Sequence, residues 1–228
     1  MLRTTAVRII FAGLTVLLAV QYVGLVPMAA VEGSFPDPVT DIPPSSSKEK
    51  QAAVLAGGCF WCTEAVFEQI QGVENVISGY AGGDKKSARY DLVSEGNTDH
   101  AESIQITFDP TQISYGQLLK IFFSVAHDPT QLNRQGPDWG RQYRSEIFFA
   151  DPEQKQVAET YIQQLEQAHL FRKPIVTKVS ELKGFYPAED YHQDFVKRNP
   201  NHPYVVVNAI PKIQKTRKEF PGMVKKGF

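Results

Sequence analysis

The stretch that decides the fold is Ala52-Ala53-Val54-Leu55-Ala56-Gly57-Gly58-Cys59-Phe60-Trp61-Cys62. An apolar run, two glycines and a following helical pattern predict a strand, a tight turn and a helix. Cys59 falls in the first turn of that helix, where the positive end of the helix dipole favours thiolate over thiol. The position therefore suits a nucleophile, and a buried structural cysteine is the alternative.

Composition narrows the class of protein. A chain of 228 residues with 42% hydrophobic residues predicts one globular domain with an appendage. The net charge of −1 and the scattered lysines argue against a nucleic-acid partner. Two cysteines are too few for a disulfide-stapled scaffold, and the five histidines lack metal-ligand spacing. We therefore expect no metal and no cofactor.

Both ends of the chain differ from its centre. Arg3 and Arg8 precede an apolar run from Ile9 to Ala30, which predicts a signal peptide or a membrane anchor over residues 1–30. We expect an exported protein, in the periplasm or an equivalent compartment, with possible membrane attachment through residues 9–30. The Pro- and Ser-rich residues 31–50 predict a flexible linker, and residues 212–228 a basic C-terminal tail. The catalytic domain is then predicted over residues 51–211.

Hydrophobic periodicity gives the order of the elements in that domain. Strands are predicted at 51–56, 73–80, 101–109, 143–149 and 175–179, and helices at 59–71, 114–126, 152–168 and 188–198. Ser114 and Gln117 form a capping-box pattern, and Asp151-Pro152 opens the third helix. The core order β-α-β-β-α-β indicates an α/β (α+β) two-layer sandwich of the split βαβ type.

Glu102 is the second candidate for a catalytic residue. It shares the apolar face of its strand with Ile104, Ile106 and Phe108. A carboxyl group on that face is partly desolvated, which raises its pKa and suits a general acid. Alternatively, because it lies at the start of the strand, Glu102 reaches solvent at the edge of the sheet.

Six short motifs carry a family resemblance. In chain order they are Gly57-Gly58-Cys59-Phe60-Trp61, Gly79-Tyr80-Ala81-Gly82-Gly83, Thr98-Asp99-His100-Ala101-Glu102, His127-Asp128-Pro129, Gln142-Tyr143-Arg144-Ser145 and Tyr186-Pro187-Ala188-Glu189-Asp190-Tyr191-His192. Together, over about Ala53 to Pro200, they resemble the peptide methionine sulfoxide reductases of the A type. One motif would be weak evidence, but six in the same order are specific. Enzymes of this class reverse the oxidation of methionine.

The resemblance implies the groups that act on the sulfoxide. Cys59 is implied as the nucleophile that attacks its sulfur, and Glu102 as the acid that protonates its oxygen. Tyr90 and Tyr143 are implied as hydroxyl donors to the same oxygen. The resemblance also implies the S epimer as substrate, free or in a protein, and thus repair of oxidised proteins.

The resemblance further implies a binding pocket. Phe60 and Trp61 are implied as aromatic walls for the S-methyl group, and Asp138 as the residue that orients the substrate.

We also expect the protein to be a monomer and to use thioredoxin or a similar dithiol reductant.

Cys62 is the residue at which the chain departs from a common family pattern. Many members carry resolving cysteines near the C-terminus, whereas this chain has no cysteine after Cys62. Cys62 is therefore a candidate resolving residue, although at i, i+3 on a helix some movement is needed for a disulfide. The alternative is a packed Cys62 with an external reductant that attacks Cys59. A thioredoxin-like thiol–disulfide oxidoreductase using Cys59-x-x-Cys62 is the second functional hypothesis.

Overall fold

The computed structural model describes residues 35–43 and 49–227. The strands are β1 (Gln51–Gly57), β2 (Val73–Ala81), β3 (Ala101–Phe108), β4 (Arg134–Gln135), β5 (Asp138–Trp139), β6 (Ser145–Phe149), β7 (Lys178–Glu181) and β8 (Phe185–Pro187). The α-helices are α1 (Phe60–Glu68), α2 (Tyr90–Val93), α3 (Tyr115–Ile121), α4 (Pro152–Gln167), α5 (Phe195–Arg198) and α6 (Ile210–Glu219). Two π-helical turns, Phe122–Ala126 and Val205–Ala209, follow α3 and precede α6.

Six of the strands form one mixed sheet in the order β7-β6-β1-β3-β2-β8. β1 is antiparallel to both β3 and β6, and β7 is parallel to β6. The central four strands, with α1 and α3, have the predicted β-α-β-β-α-β order. β4 and β5 form a separate two-stranded hairpin.

Local sequence signals account for where the helices begin. Ser114 accepts a hydrogen bond from the backbone N–H of Gln117, whose side chain completes the capping box. Asp151 caps α4 and Pro152 occupies its first turn. The predicted helix over 188–198 is shorter in the structure, where only Phe195–Arg198 is helical.

The main core lies between one face of the sheet and the helices. Apolar side chains from β1, β3, α1, α3 and α4 meet there, including Leu55, Ile104, Val66, Leu118 and Val157. A smaller cluster on the other face contains Val54, Ala56 and Phe148, with Leu182 and Phe185 against it. Helices α1, α3 and α4 therefore pack on one face of this sheet.

The N-terminal prediction needs a correction. Residues 35–43 are not a flexible linker, because Phe35 packs against Phe171 and the main core. Tyr161 donates a hydrogen bond to the carbonyl oxygen of Pro36 at 2.9 Å, and the backbone N–H of Gly116 donates to Asp41 at 2.8 Å. Composition alone indicated disorder, but a few apolar and acidic side chains fit the surface of α3 and α4. The predicted signal peptide or anchor lies outside the described residues.

The basic C-terminal region also belongs to the folded domain. Thr216 of α6 is buried, and Phe220 joins the main core. The backbone N–H of Lys225 donates to the carbonyl oxygen of Gln69 at 2.8 Å. The folded domain therefore continues past the predicted boundary at residue 211. Within the described ranges, no helix is both long and apolar enough to cross a membrane.

Candidate active site

The glycine turn sets the position of Cys59. Gly58 has φ of +88°, and a Cβ atom there would lie 2.4 Å from Cβ of Gln135. Only glycine fits this backbone conformation and this close approach. Cys59 follows as the N-cap of α1, with φ −54° and ψ 121°, so it lies just before the first helical residue.

The two thiols are reduced, buried and hydrogen-bonded to each other. Burial raises the pKa of Cys59 well above its usual range, and Cys62 and the charge of Glu102 add to the rise. The hydrogen bond from Cys59 lowers the pKa of Cys62, and the positive charge of Lys212 adds to this. The expectation of a Cys59 thiolate is therefore wrong for this state. The desolvation cost exceeds the about 0.3–1 kcal/mol that a helix dipole supplies.

Glu102 is buried next to the start of α1. Its Oε2 atom accepts a hydrogen bond from the backbone N–H of Phe60 at 3.1 Å. Burial raises the pKa of Glu102 to about 8, against the lowering effect of that hydrogen bond. The carboxyl group is therefore protonated at neutral pH and does not reach solvent at the sheet edge.

Tyr90 is the first residue of α2, and Tyr143 ends a short 3₁₀ turn just before β6. Burial raises the pKa of both hydroxyl groups, and the charges of Glu102 and Cys59 raise them further. Glu189 holds Tyr90 in place, since its carboxylate accepts the backbone N–H of Tyr90 at 2.9 Å.

Asp138 lies on β5, beside the thiols rather than beside Glu102. Its carboxylate accepts a hydrogen bond from the hydroxyl group of Tyr204 at 2.5 Å. Burial raises the pKa of Asp138, whereas Tyr204 and Lys212 lower it. Tyr204 also lies beside both thiols, and its hydroxyl group lowers the pKa of each. Tyr204 thus connects the proposed orienting residue with the two thiols.

The two aromatic residues after Cys59 have different environments. Phe60 is fully buried, with its ring 6.0 Å from Tyr80 and 5.0 Å from His192. Trp61 is half-buried and stacks on Phe195 at 3.7 Å between ring centroids. Its indole N–H donates to Nδ1 of His192 at 3.1 Å. Burial lowers the pKa of His192, so the ring stays neutral and accepts this bond.

Reasoning from sequence missed Glu189, His192, Tyr204 and Lys212, the last of which was assigned to the basic C-terminal tail. Glu189 and His192 lie inside a motif that was recognised, but the motif gave no indication of what they contact. Tyr204 had no signal at all, because its contact with Asp138 joins residues 66 positions apart.

A small pocket of about 50 Å³ opens onto both thiols. Its lining includes Cys59, Cys62, Asp138, Tyr204, Asn208 and Lys212. We refer to it as the thiol pocket. It lies between the β4–β5 hairpin and the π-helical turn before α6. In the part of the chain that the structure describes, no cluster of three or more His, Cys, Asp or Glu residues could hold a metal ion.

Comparison with known proteins places this geometry in a family. Residues 51–223 match the family model described as peptide methionine sulfoxide reductase. A Synechocystis protein named peptide methionine sulfoxide reductase MsrA 2 is 59% identical over 193 residues, which cover 84% of this chain and 90% of that protein. A protein of the same name from Mesorhizobium japonicum is 53% identical over 173 residues, which cover 76% and 89%.

Solved structures agree with the sequence relatives. The reduced form of Mxr1 from Saccharomyces cerevisiae has a TM-score of 0.62 and 32% identity, over 68% of this chain and 88% of that one. Methionine sulfoxide reductase A of Corynebacterium diphtheriae has a TM-score of 0.60 and 34% identity, over 73% and 87%. The chain therefore belongs to the peptide methionine sulfoxide reductase family, and within it to the A type.

Proposed function

We propose that the enzyme reduces methionine (S)-sulfoxide, free or in oxidised proteins, with Cys59 as nucleophile and Glu102 as acid. This assignment rests mainly on the buried Glu102 carboxyl group. Its Oε2 atom accepts a hydrogen bond from the backbone N–H of Phe60, the residue after Cys59. Its pKa of about 8 keeps a proton available at neutral pH.

Sulfoxide chemistry explains why an acid is needed. The oxygen of a sulfoxide is a poor leaving group, so the sulfur becomes electrophilic when its oxygen is protonated or strongly hydrogen-bonded. Glu102 supplies the proton, and Tyr90 and Tyr143 supply hydroxyl donors. The raised pKa values of both tyrosines keep them protonated, so they remain donors. Their hydrogen bonds strengthen as negative charge moves onto the oxygen.

Cys59 starts as a thiol and reacts as a thiolate. The sulfoxide sulfur carries partial positive charge, and such a charge near Cys59 favours the thiolate form. The oxygen ends on Cys59 as a sulfenic acid, and methionine leaves as the thioether. Phe60 and Trp61 hold the S-methyl group of the substrate, and Asp138 orients the rest of it.

Cys62 resolves the intermediate. In the reduced enzyme the hydrogen bond with Cys59 lowers the pKa of Cys62, and the positive charge of Lys212 still does so once Cys59 is oxidised. The thiolate of Cys62 attacks the sulfenic sulfur, forming the Cys59–Cys62 disulfide and releasing water. A dithiol reductant of the thioredoxin type then attacks one sulfur of this disulfide and frees the other cysteine. Its second thiol displaces the first cysteine, so the enzyme regains both thiols and the reductant becomes a disulfide.

The alternative of a thioredoxin-like oxidoreductase is not favoured. That function would leave the buried acid Glu102 and the proposed hydroxyl donors Tyr90 and Tyr143 without a role. The relatives at 53–59% identity also carry the name of methionine sulfoxide reductases.

We further propose that the protein is exported. Arg3 and Arg8 ahead of the apolar run from Ile9 to Ala30 support a leader that directs the enzyme to the periplasm or an equivalent compartment. Cell fractionation together with the intact mass of the recovered protein tests this proposal. A full-length protein found only in the cytosol would contradict it.

Intact-mass analysis after one equivalent of peptide methionine sulfoxide, without reductant, tests the chemistry. We expect one equivalent of methionine and a protein that has lost two hydrogens, as the disulfide requires. A gain of one oxygen would show a sulfenic acid that Cys62 does not resolve. Unchanged enzyme and unreduced substrate would overturn the assignment of Cys59.

A further inference from the structure

Exposed apolar side chains lie on the two chain segments that border the thiol pocket. In the described ranges, the large hydrophobic residues that are exposed are Val39, Leu132, Trp139, Tyr191, Val206 and Val207. Trp139 directly follows Asp138, and Val206 and Val207 follow Tyr204 by two and three positions. Because Tyr204 and Asp138 are hydrogen-bonded, the hairpin that carries Trp139 and the helical turn that carries Val206 and Val207 meet at one contact.

That contact forms one wall of the thiol pocket. Trp139 belongs to the β4–β5 hairpin on one side, and Val206 and Val207 to the π-helical turn on the other. A volume of about 50 Å³ holds only a few water molecules, which suits a thiol group. Glu102, Tyr90 and Tyr143 do not line this pocket. Asp138, proposed to orient the substrate, does line it, but the pocket reaches the cysteines on a side that lacks the groups proposed to act on the sulfoxide oxygen.

We propose that Trp139, Val206 and Val207 form the docking surface for a dithiol protein reductant, whose reactive thiol enters the thiol pocket. This inference rests on the proposed function, in which such a reductant must reach the Cys59–Cys62 disulfide. A sulfoxide substrate must also reach Cys59, but its oxygen has to meet Glu102, which does not line this pocket.

The surface has the features of an interface. Exposed apolar patches on soluble proteins mark interaction sites, and Trp is enriched among the residues that carry binding energy. The guanidinium group of Arg134 lies 4.0 Å from the ring of Trp139 and holds the exposed indole in one orientation. A fixed aromatic side chain loses little entropy when a partner binds.

Three variants of the full chain test the proposal. Trp139→Ala and Val207→Ser remove parts of the surface, and Val39→Ser is the matched control. Val39 and Val207 are similarly exposed, at 73% and 70%, but Val39 lies against Gln164 of α4. The measurements are KM for thioredoxin in an NADPH-coupled assay, KM for a sulfoxide peptide, and the rate with dithiothreitol.

We expect Trp139→Ala to raise KM for thioredoxin about tenfold and Val207→Ser about threefold. The dithiothreitol-supported rate and KM for the peptide should stay unchanged in both, and Val39→Ser should behave as wild type. An unchanged KM for thioredoxin in Val207→Ser overturns the proposal, as does a rise in KM for the peptide alone. A wild-type enzyme inactive with dithiothreitol would instead refute the proposed function.

Discussion

Oε2 of Glu102 accepts the backbone N–H of Phe60 at 3.1 Å, which joins β3 to the first residue of α1. One orphan donor at the start of the helix is thereby satisfied. The same bond fixes the acid one residue from Cys59. The distance between acid and nucleophile is therefore set by the pairing of a strand with a helix end rather than by a loop.

Cys59→Ser should abolish sulfoxide reduction, because a hydroxyl group at this position is not ionised and cannot become a sulfenic acid. The release of methionine from a sulfoxide peptide, with dithiothreitol in excess, is the measurement. Substantial residual turnover would remove Cys59 as the nucleophile.

Glu102→Gln should slow the chemical step by about 10²-fold, since the amide keeps a hydrogen bond but cannot give up a proton in the same way. The pKa of Glu102 is raised to about 8, so the protonated form persists up to that pH. Single-turnover rates of the wild type should therefore fall above about pH 8, and the variant should lose this dependence. A pH profile equal to that of the wild type would exclude Glu102 as the acid.

Glu64→Gln is the matched control for Glu102→Gln. Glu64 is also buried, with its pKa raised to about 8, but it lies on α1 near Glu68 and Asp194. Its substitution should leave the pH–rate profile unchanged.

The two carboxyl groups also make stability depend on pH. For both, the pKa in the folded protein exceeds the ordinary value of 4.5, so stability is lost as pH rises from about 4.5 to 8. Urea titrations at several pH values measure this loss of stability, which should be smaller in Glu64→Gln and in Glu102→Gln than in the wild type.

Cys62→Ser should leave the first turnover intact and impair recycling by thioredoxin by about tenfold or more. Cys59 still forms the sulfenic acid, but no second thiol is present to convert it to a disulfide. Rapid-quench measurement of methionine gives the first turnover, and the NADPH-coupled rate gives recycling. Recycling at the wild-type rate would show that Cys62 is structural.

Tyr204→Phe should raise the pKa of Asp138, because the hydroxyl group of Tyr204 stabilises its carboxylate. A hydrogen bond to a charged group contributes about 1.5–3 kcal/mol, which corresponds to about one pH unit or more. The acidic limb of kcat/KM should therefore move to higher pH. Tyr161→Phe is the control, since that hydroxyl group donates to Pro36, away from the site. If the acidic limb of kcat/KM stays at its wild-type position, Tyr204 does not control the ionisation of Asp138 during substrate binding.

Arg144→Met should destabilise the fold by about 3–5 kcal/mol, because it leaves the buried Glu146 without its ion partner. Arg144 also donates to the carbonyl oxygens of Asp99 and His100, just before β3. The control is Arg89→Met, which breaks an exposed pair with Asp91 and should cost about 0–1 kcal/mol. Urea denaturation measures both, and equal costs would show that the buried pair adds no stability.

Much of the fold could be predicted because its signals are local. The apolar run before Gly57, the alternation in β3 and the caps of α3 and α4 lie within a few residues of the elements they define. The prediction of a flexible linker over residues 31–50 was wrong at 35–43 for the opposite reason. Phe35 and Asp41 are held by partners more than 70 residues away, which composition cannot reveal.

By itself, the sequence determined the family, the order of the core elements, and the pairing of one cysteine with one glutamate as candidates for chemistry. The tertiary structure decided the protonation states and the connections between the groups. Cys59 is a thiol and Glu102 a neutral acid because both are desolvated, and burial depends on the packing of the whole chain. Tyr204 reaches Asp138 and the thiols for a related reason, since only folding brings the helix near the C-terminus against the turn that opens α1.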